Sequence, residues 1–93
     1  MSQPQHGQPL LDQLQSKDRL GVLALSPNGF VFDPMNGQSF TLNECGITLL
    51  QLLQKHRSVQ DVLGELIQRY EVEESRASIA LDRFLQQLHK VLS

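Results

Sequence analysis

The residues that could do chemistry in this chain are few and scattered. Its histidines are His6, His56 and His89, and none has a partner at metal-ligand spacing, such as a second histidine four positions away. The single cysteine, Cys45, stands near a predicted helix start without a histidine close to it in sequence, so we expect a small packed residue rather than a nucleophile. "SPNG" and "PMNG" are turn sequences and not phosphate-binding loops. These observations predict no metal site, no cofactor and no catalysis.

Acyl carriers are another class of small acidic helical protein. They use an Asp-Ser-Leu sequence at a helix start, whereas the candidate serine here, Ser58, lies in "HRSVQ". Strands are also predicted upstream of it, and carriers do not have them. The sequence therefore argues against a carrier.

One face of the last predicted helix carries a pattern that favours an acidic ligand. Arg76, Arg83 and Lys90 recur every seven residues, and Ile79 and Gln86 fall on the same side. One interpretation is a solvated face with a single stray isoleucine. The other is a basic, partly apolar wall of a groove that binds an acidic ligand. The residues themselves leave both interpretations open.

Composition limits the class of protein. A chain of 93 residues with 40% hydrophobic and 19% charged residues is expected to form one small globular domain. It has no apolar run of about 18 residues and no basic, apolar leader, so we expect a cytoplasmic protein without membrane contact. Its net charge of -2 argues against nucleic acid as a partner, since phosphate attracts clustered positive charge.

The elements that must position these side chains begin after a polar start. Residues 1–17 carry five glutamines, two prolines and a glycine, and we expect a flexible tail in which "LLDQL" forms at most a short helical turn. The domain proper is then residues 18–93. Within it "RLGVLALS", "FVFD" and "QSFTL" are predicted strands, separated by the turn sequences "PNG" and "PMNG". They predict a three-stranded antiparallel meander.

Three helices are predicted to follow the strands. The first begins at Asn43 as N-cap, or at an alternative capping box of Thr41 and Glu44, and runs to about Lys55. Its apolar residues point to most sides, which predicts that the sheet and the later helices both pack on it. They are Ile47, Leu49, Leu50, Leu52 and Leu53.

The second and third helices show clear amphipathic spacing. Ser58 and Asp61 form a capping box for the second, and Glu73 and Glu74 suit the start of the third. The apolar stripe of the second helix is Val59, Val62, Leu63, Leu66, Ile67 and Tyr70. That of the third is Ala77, Ala80, Leu81, Phe84, Leu85, Leu88, Val91 and Leu92. The order of three strands and then three helices predicts an α+β fold.

The junction "NGQSFTLNECGITLLQLL", followed by "RSVQDVLGELIQRYEVEESRASIALDRFLQQLHKVL", resembles the PqqD family. These are small peptide chaperones of pyrroloquinoline quinone biosynthesis, and they are similar to the recognition element of other pathways that modify ribosomally made peptides. The resemblance covers roughly residues 19–92. It lies in the ordered combination of small turn, aromatic strand, Leu-Asn, capped helix, Tyr-x-Val junction and long final helix.

The resemblance implies a winged-helix-like fold and a function without catalysis. A leader peptide adds as a strand to the edge of the third strand, lies against the third helix, and is presented to a modifying enzyme such as a radical SAM protein. An exposed strand edge offers the main-chain hydrogen bonds that such binding needs. We therefore expect the peptide between the strand and the basic face of the helix. The candidate peptide-binding residues are Gln38, Ser39, Phe40, Thr41, Arg76, Ile79, Arg83 and Gln86.

Two alternatives from other classes are a winged-helix DNA-binding regulator and a structural subunit that forms a homodimer through the leucine-rich helix. A DNA-reading helix needs side chains that contact bases and phosphates. Residues 38–93 carry six Lys or Arg against seven Asp or Glu, a net charge of -1, which weakens the DNA alternative.

Overall fold

A computed structural model of the chain describes residues 8–16, 19–56 and 58–92. Its elements are α1 (Gln8–Ser16), β1 (Ala24–Leu25), β2 (Phe30–Asp33), β3 (Gln38–Thr41), α2 (Glu44–Lys55), α3 (Val59–Tyr70) and α4 (Glu74–Leu92). The predicted α+β order of strands and then helices is confirmed, with α1 as an additional helix before them. Among the described helices, none combines the length and apolar character that a bilayer crossing requires.

The three strands form an antiparallel sheet in the order β1-β2-β3. Its two turns place only glycines at positive φ, Gly29 at 89° and Gly37 at 74°. β1 is shorter than "RLGVLALS" predicted, because the chain before it makes a turn in which the Leu23 N–H donates to the Leu20 carbonyl at 3.2 Å. That turn buries both leucines and leaves two residues to pair with β2.

The helix starts follow the predicted capping residues. Asn43 caps α2, with its side-chain oxygen accepting from the Gly46 N–H at 2.8 Å, so this cap and not the box beginning at Thr41 is used. Ser58 caps α3 by accepting from the Asp61 N–H at 3.0 Å. Each cap satisfies a backbone donor that would otherwise lack a partner at the helix end. The β3–α2 and α2–α3 junctions are therefore set locally.

The core contains side chains from the sheet and from all four helices. Fully buried examples are Leu11 of α1, Val31 of β2, Leu50 of α2, Val62 of α3 and Leu85 of α4. α2 contributes buried residues on several sides and packs against both α3 and α4. α2 thus packs on the two later helices as predicted, and α4 in addition packs against α1 and α3.

The chain from Gln8 to Ser16, which was predicted to belong to a flexible tail, forms helix α1 and contradicts that prediction for this part of the tail. Leu11 and Leu14 are buried in the core, and α1 packs against α4. The Gln15 side chain donates to the His56 carbonyl at 3.0 Å, and Gln8 accepts from the Val59 N–H at 2.8 Å. Two of the glutamines that suggested a tail, Gln8 and Gln15, thus join α1 to the end of α2 and the start of α3. Residues 1–7 and Lys17 lie outside the described residues.

Candidate functional site

β3 is an edge strand of the sheet, and within the described residues it pairs only with β2. In an antiparallel pair, consecutive residues alternate in turning their backbone groups toward the partner or away from it. The Leu42 N–H donates to the Gly29 carbonyl at 2.8 Å, so the backbone groups of Leu42 point toward the β2 side. Phe40 is two residues earlier, and its backbone N–H and C=O therefore point toward β2 as well. The N–H and C=O groups of Ser39 and Thr41 therefore point out from the open edge.

A groove runs between this edge and α4. Its part nearest the C-terminus of α4, the lower groove, has a volume of about 260 Å³. The lining residues on the strand side include Phe40, Thr41 and Leu42, and those on the helix side include Phe84 and Val91. Phe40 is half-buried and packs against the core. The lower groove therefore presents a largely apolar surface beside the outward-pointing backbone of β3.

The groove continues toward the N-terminus of α4 as a wider and more polar depression, the upper groove, of about 400 Å³. It lies where β3 passes into α2, so Thr41 and Asn43 line one side. Ala80, Arg83 and Gln87 line the other. The positive charge predicted for this face thus lies directly across from the last residue of the edge strand.

A third depression, the end pocket, extends the groove beyond the end of β3, with a volume of about 390 Å³. It is enclosed by the start of α2, the end of α3 and the start of α4. Its almost wholly apolar wall is formed chiefly by Cys45, Leu49, Leu66, Tyr70, Val72 and Ala77, with Arg76 and Ala80 completing it. No residue of β3 lines it.

Cys45 differs from its prediction as a packed residue. Its side chain is exposed, because the second residue of α2 falls on the side of that helix that faces the groove and not the core. It lines both the upper groove and the end pocket.

Two sets of contacts fix the separation of β3 and α4. At the end of the lower groove, Arg19 pairs with Asp33 at the end of β2 (Nη2 to Oδ2, 2.6 Å) and also donates to the Leu92 carbonyl of α4. The Asn36 side chain of the β2–β3 turn donates to the Val91 carbonyl at 3.5 Å. Above, β3 leads into capped α2, which packs on α4. The groove is therefore held at both ends by the fold itself.

Lys90 lines the lower groove, and the groove's two arginines are Arg76 at the end pocket and Arg83 at the upper groove. Both side chains are exposed, and no ion pair with another described residue engages either of them. Unpaired guanidinium groups can form charge-assisted, bidentate hydrogen bonds with carboxylates. A ligand in the groove would therefore meet two guanidinium groups that are available to carboxylates.

The eight predicted site residues do not all meet. Gln38, Ser39, Phe40 and Thr41 form β3, and Arg76 and Arg83 lie on the α4 face that borders the groove. Ile79 and Gln86 lie outside these three depressions. Ile79 is 55% exposed, and the Gln86 side chain donates to the Asp82 carboxylate at 3.0 Å. At about 3.6 residues per turn, Ile79 falls roughly 70° and Gln86 roughly 90° around the axis from the centre of the stripe that faces the groove.

That stripe comprises Arg76, Ala80, Arg83 and Gln87, at i, i+4, i+7 and i+11. Sequence reasoning missed Ala80, since it assigned this residue to the buried stripe, as it did Val91, which is 37% exposed. Both are at the margin of the apolar face. The sequence signal that could have identified Ala80 as a groove residue was its small size among large apolar residues, because an alanine leaves open space between packed elements.

The described residues hold no group of three or more His, Cys, Asp or Glu side chains that could bind a metal ion. The geometry combines an outward-pointing strand backbone, an apolar trough and the guanidinium groups of Arg76 and Arg83. Such a combination suits an extended polypeptide with acidic side chains.

Comparison with known families matches the part of the chain that forms the groove. The family model described as Coenzyme PQQ synthesis protein D (PqqD) matches residues 28–91. That span contains β2, β3, α2, α3 and nearly all of α4, hence every element that borders the groove, whereas α1 and β1 precede it. Comparisons with curated proteins and with solved structures gave no significant match. Because the match covers well over half of the chain, the protein belongs to the PqqD family.

Proposed function

We propose that this protein is a peptide chaperone that binds the leader segment of a ribosomally made precursor peptide and presents it to a modifying enzyme. The family takes part in the biosynthesis of pyrroloquinoline quinone and of modified ribosomal peptides, and its members are non-catalytic accessory proteins. In this proposal the chain itself catalyses nothing, and it acts in the cytoplasm, where ribosomes release the precursor.

The observation that carries the proposal is the outward backbone of Ser39 and Thr41 next to the groove. Unpaired N–H and C=O groups on a strand edge need either water or another strand. A peptide that adds as a fourth strand satisfies them whatever its side chains are. Its affinity then comes from the main chain, and selectivity comes from the surfaces that the side chains meet.

The two faces of an added strand meet different surfaces. Residues opposite each other in a sheet share a face, so Ser39 and Thr41 lie on the outer face with Phe32 and Phe30. Phe40 lies on the inner face with buried Val31. Alternate side chains of a bound peptide would therefore face the groove along α4 and the outer face of the sheet, where Ser39 and Thr41 are their nearest neighbours.

The enzyme that receives the peptide is proposed to be a radical SAM protein or another maturation enzyme. Binding along β3 and α4 leaves the rest of an extended precursor free to enter an active site. A short peptide reading frame beside a maturation enzyme in the neighbouring genes would identify both partners. The reconstituted reaction should then proceed faster with this protein than without it.

An amide NMR titration with the precursor peptide tests the site. Residues 38–41 and the groove face of α4, from Arg76 to Val91, are expected to shift. The outer face of α3, represented by Gln60 and Gln68, serves as an internal reference and should stay unchanged. Shifts confined to α1 or α3, with residues 38–41 silent, would contradict this placement of the peptide.

A further inference from the structure

The end pocket has features that strand addition does not use. It shares Cys45, Leu49 and Ala80 with the upper groove, so the two depressions adjoin each other. Because no residue of β3 lines it, a peptide segment that reaches it has left the strand ladder. Contacts there must come from side chains. The end pocket is thus the part of the groove best suited to distinguish one peptide from another.

The wall of the end pocket selects for an apolar group. Its floor is formed by buried Leu49, Leu66 and Ala77. Its outer wall includes the ring of Tyr70, which is 46% exposed and whose hydroxyl bonds to the Thr48 hydroxyl at 3.1 Å. That bond joins α3 to α2 and holds the ring beside the opening. An apolar side chain in the pocket would remove both itself and this wall from water, the main source of favourable free energy at such sites.

The rim of the end pocket adds a charge requirement. Arg76 lines the pocket, its side chain is exposed, and no ion pair with another described residue engages it. A carboxylate next to the apolar group would meet the guanidinium without displacing an existing partner. A basic residue at that position would be repelled.

The length of the groove fits one continuous peptide. α4 rises about 22 Å from Arg76 to Val91 at about 1.5 Å per residue. An extended chain covers this length in about seven residues at roughly 3.3 Å each. β3 offers four residues for pairing. About three further peptide residues therefore bridge the upper groove to the end pocket.

We propose that the end pocket binds a bulky apolar side chain of the leader peptide, about three residues outside the segment paired with β3, with an adjacent acidic residue on Arg76. This inference rests on the proposed function and names its substrate class. The substrates are leader peptides in which a strand-forming segment is joined to an anchor, which consists of a bulky apolar residue and an adjacent acidic one. Ala80 keeps the passage open, since its small side chain stands between the upper groove and the end pocket.

Peptides selected by phage display from a random library of about twelve residues, long enough to exceed the groove, serve as the probe. Their affinities are measured by fluorescence anisotropy. Selected sequences should share a large apolar residue beside Asp or Glu. Ala80→Leu, which narrows the passage, should weaken binding about tenfold or more. Ile79→Leu changes an exposed neighbour outside the groove and should alter affinity less than about twofold.

A double-mutant cycle tests whether the affinity lost in Ala80→Leu is the affinity contributed by the apolar anchor of the peptide. Replacing the apolar anchor of the peptide by alanine should weaken binding to the wild-type protein but add little to the effect of Ala80→Leu. Methyl resonances of Leu49, Leu66 and Val72 should shift with the intact peptide and not with the alanine peptide. Both readouts use folded protein, since Ala80 is exposed and its replacement leaves the core intact.

The outcomes separate the two proposals. Peptides that shift residues 38–41 but bind Ala80→Leu as well as wild type would overturn the end-pocket inference and leave strand addition standing. If no selected peptide and no precursor peptide shifts residues 38–41, the proposed function fails, and the inference fails with it.

Discussion

Arg19 and Asp33 form an ion pair of 2.6 Å in which the carboxylate side chain is 1% exposed and the guanidinium side chain 11%. The same guanidinium donates to the Leu92 carbonyl, and the other carboxylate oxygen accepts from the Met35 N–H at 3.0 Å. The pair therefore joins the segment before the sheet, the β2–β3 turn and the end of α4. It sets the lower end of the groove between β3 and α4 as well as stabilising the fold.

We expect Asp33→Asn to destabilise the protein by about 3–5 kcal/mol, because the buried Arg19 cation loses its countercharge. Urea denaturation measures the loss. Asp82→Asn, on the surface of α4, is the matched control and should cost less than about 0.5 kcal/mol. Equal effects of the two substitutions would mean that the pair does not hold the groove together.

Helix α1 should be part of the folding unit. Leu11→Ala is expected to cost about 2–5 kcal/mol, since the leucine is fully buried and its removal leaves a cavity. Gln13→Ala on the exposed side of the same helix should be close to neutral. Thermal melting of both variants checks this. A Leu11→Ala protein that melts like wild type would restore the idea of a dispensable tail.

The turn before β2 should tolerate substitution less well than the turn before β3. A Cβ at Gly29 would lie 2.5 Å from the Leu42 carbonyl oxygen, whereas one at Gly37 meets nothing within 4 Å. Both have positive φ, so Gly37→Ala measures the backbone cost alone, about 1 kcal/mol. Gly29→Ala should cost clearly more in the same denaturation experiment. Similar costs would show that the β3–α2 junction can shift without penalty.

Strand addition predicts an alternating response to N-methylation of the bound peptide. Methyl groups on amides that face β3 remove a hydrogen bond and introduce a clash, while those on the intervening amides do neither. Calorimetric titration of singly N-methylated peptides should therefore show losses at every second position. A uniform response, or one that repeats at helical spacing, would indicate that the peptide does not pair with β3.

The two groove arginines should contribute through charge. Arg76→Glu and Arg83→Glu are each expected to weaken an acidic peptide, the double variant more than either, and the effects should be larger at low salt. Arg69→Glu makes the same charge change on α3, outside the grooves described above, and serves as control. Duplex DNA should bind only weakly at physiological salt. Tight, sequence-selective DNA binding would instead support a winged-helix regulator.

Much of the fold was determined by local sequence patterns. The FVFD and QSFT strands, the caps at Asn43 and Ser58, and the two long helices each depend on neighbouring residues that specify period, turn or helix start. Such signals need no knowledge of distant contacts. They also gave the edge strand and the charges at Arg76 and Arg83, hence the kind of ligand to expect.

Tertiary structure alone decided which residues border the groove. Ala80 and Val91 match the apolar period of α4 as well as Leu81 and Leu88 do, and only the position of β3 and α2 leaves them open. Helix α1 is likewise stabilised by tertiary packing, because Leu11 and Leu14 are buried and the helix packs against α4. A helix of this length is not stable in isolation, so its local sequence did not predict it. Periodicity reports which side of a helix is apolar, whereas the packing of distant elements decides how much of that side is covered.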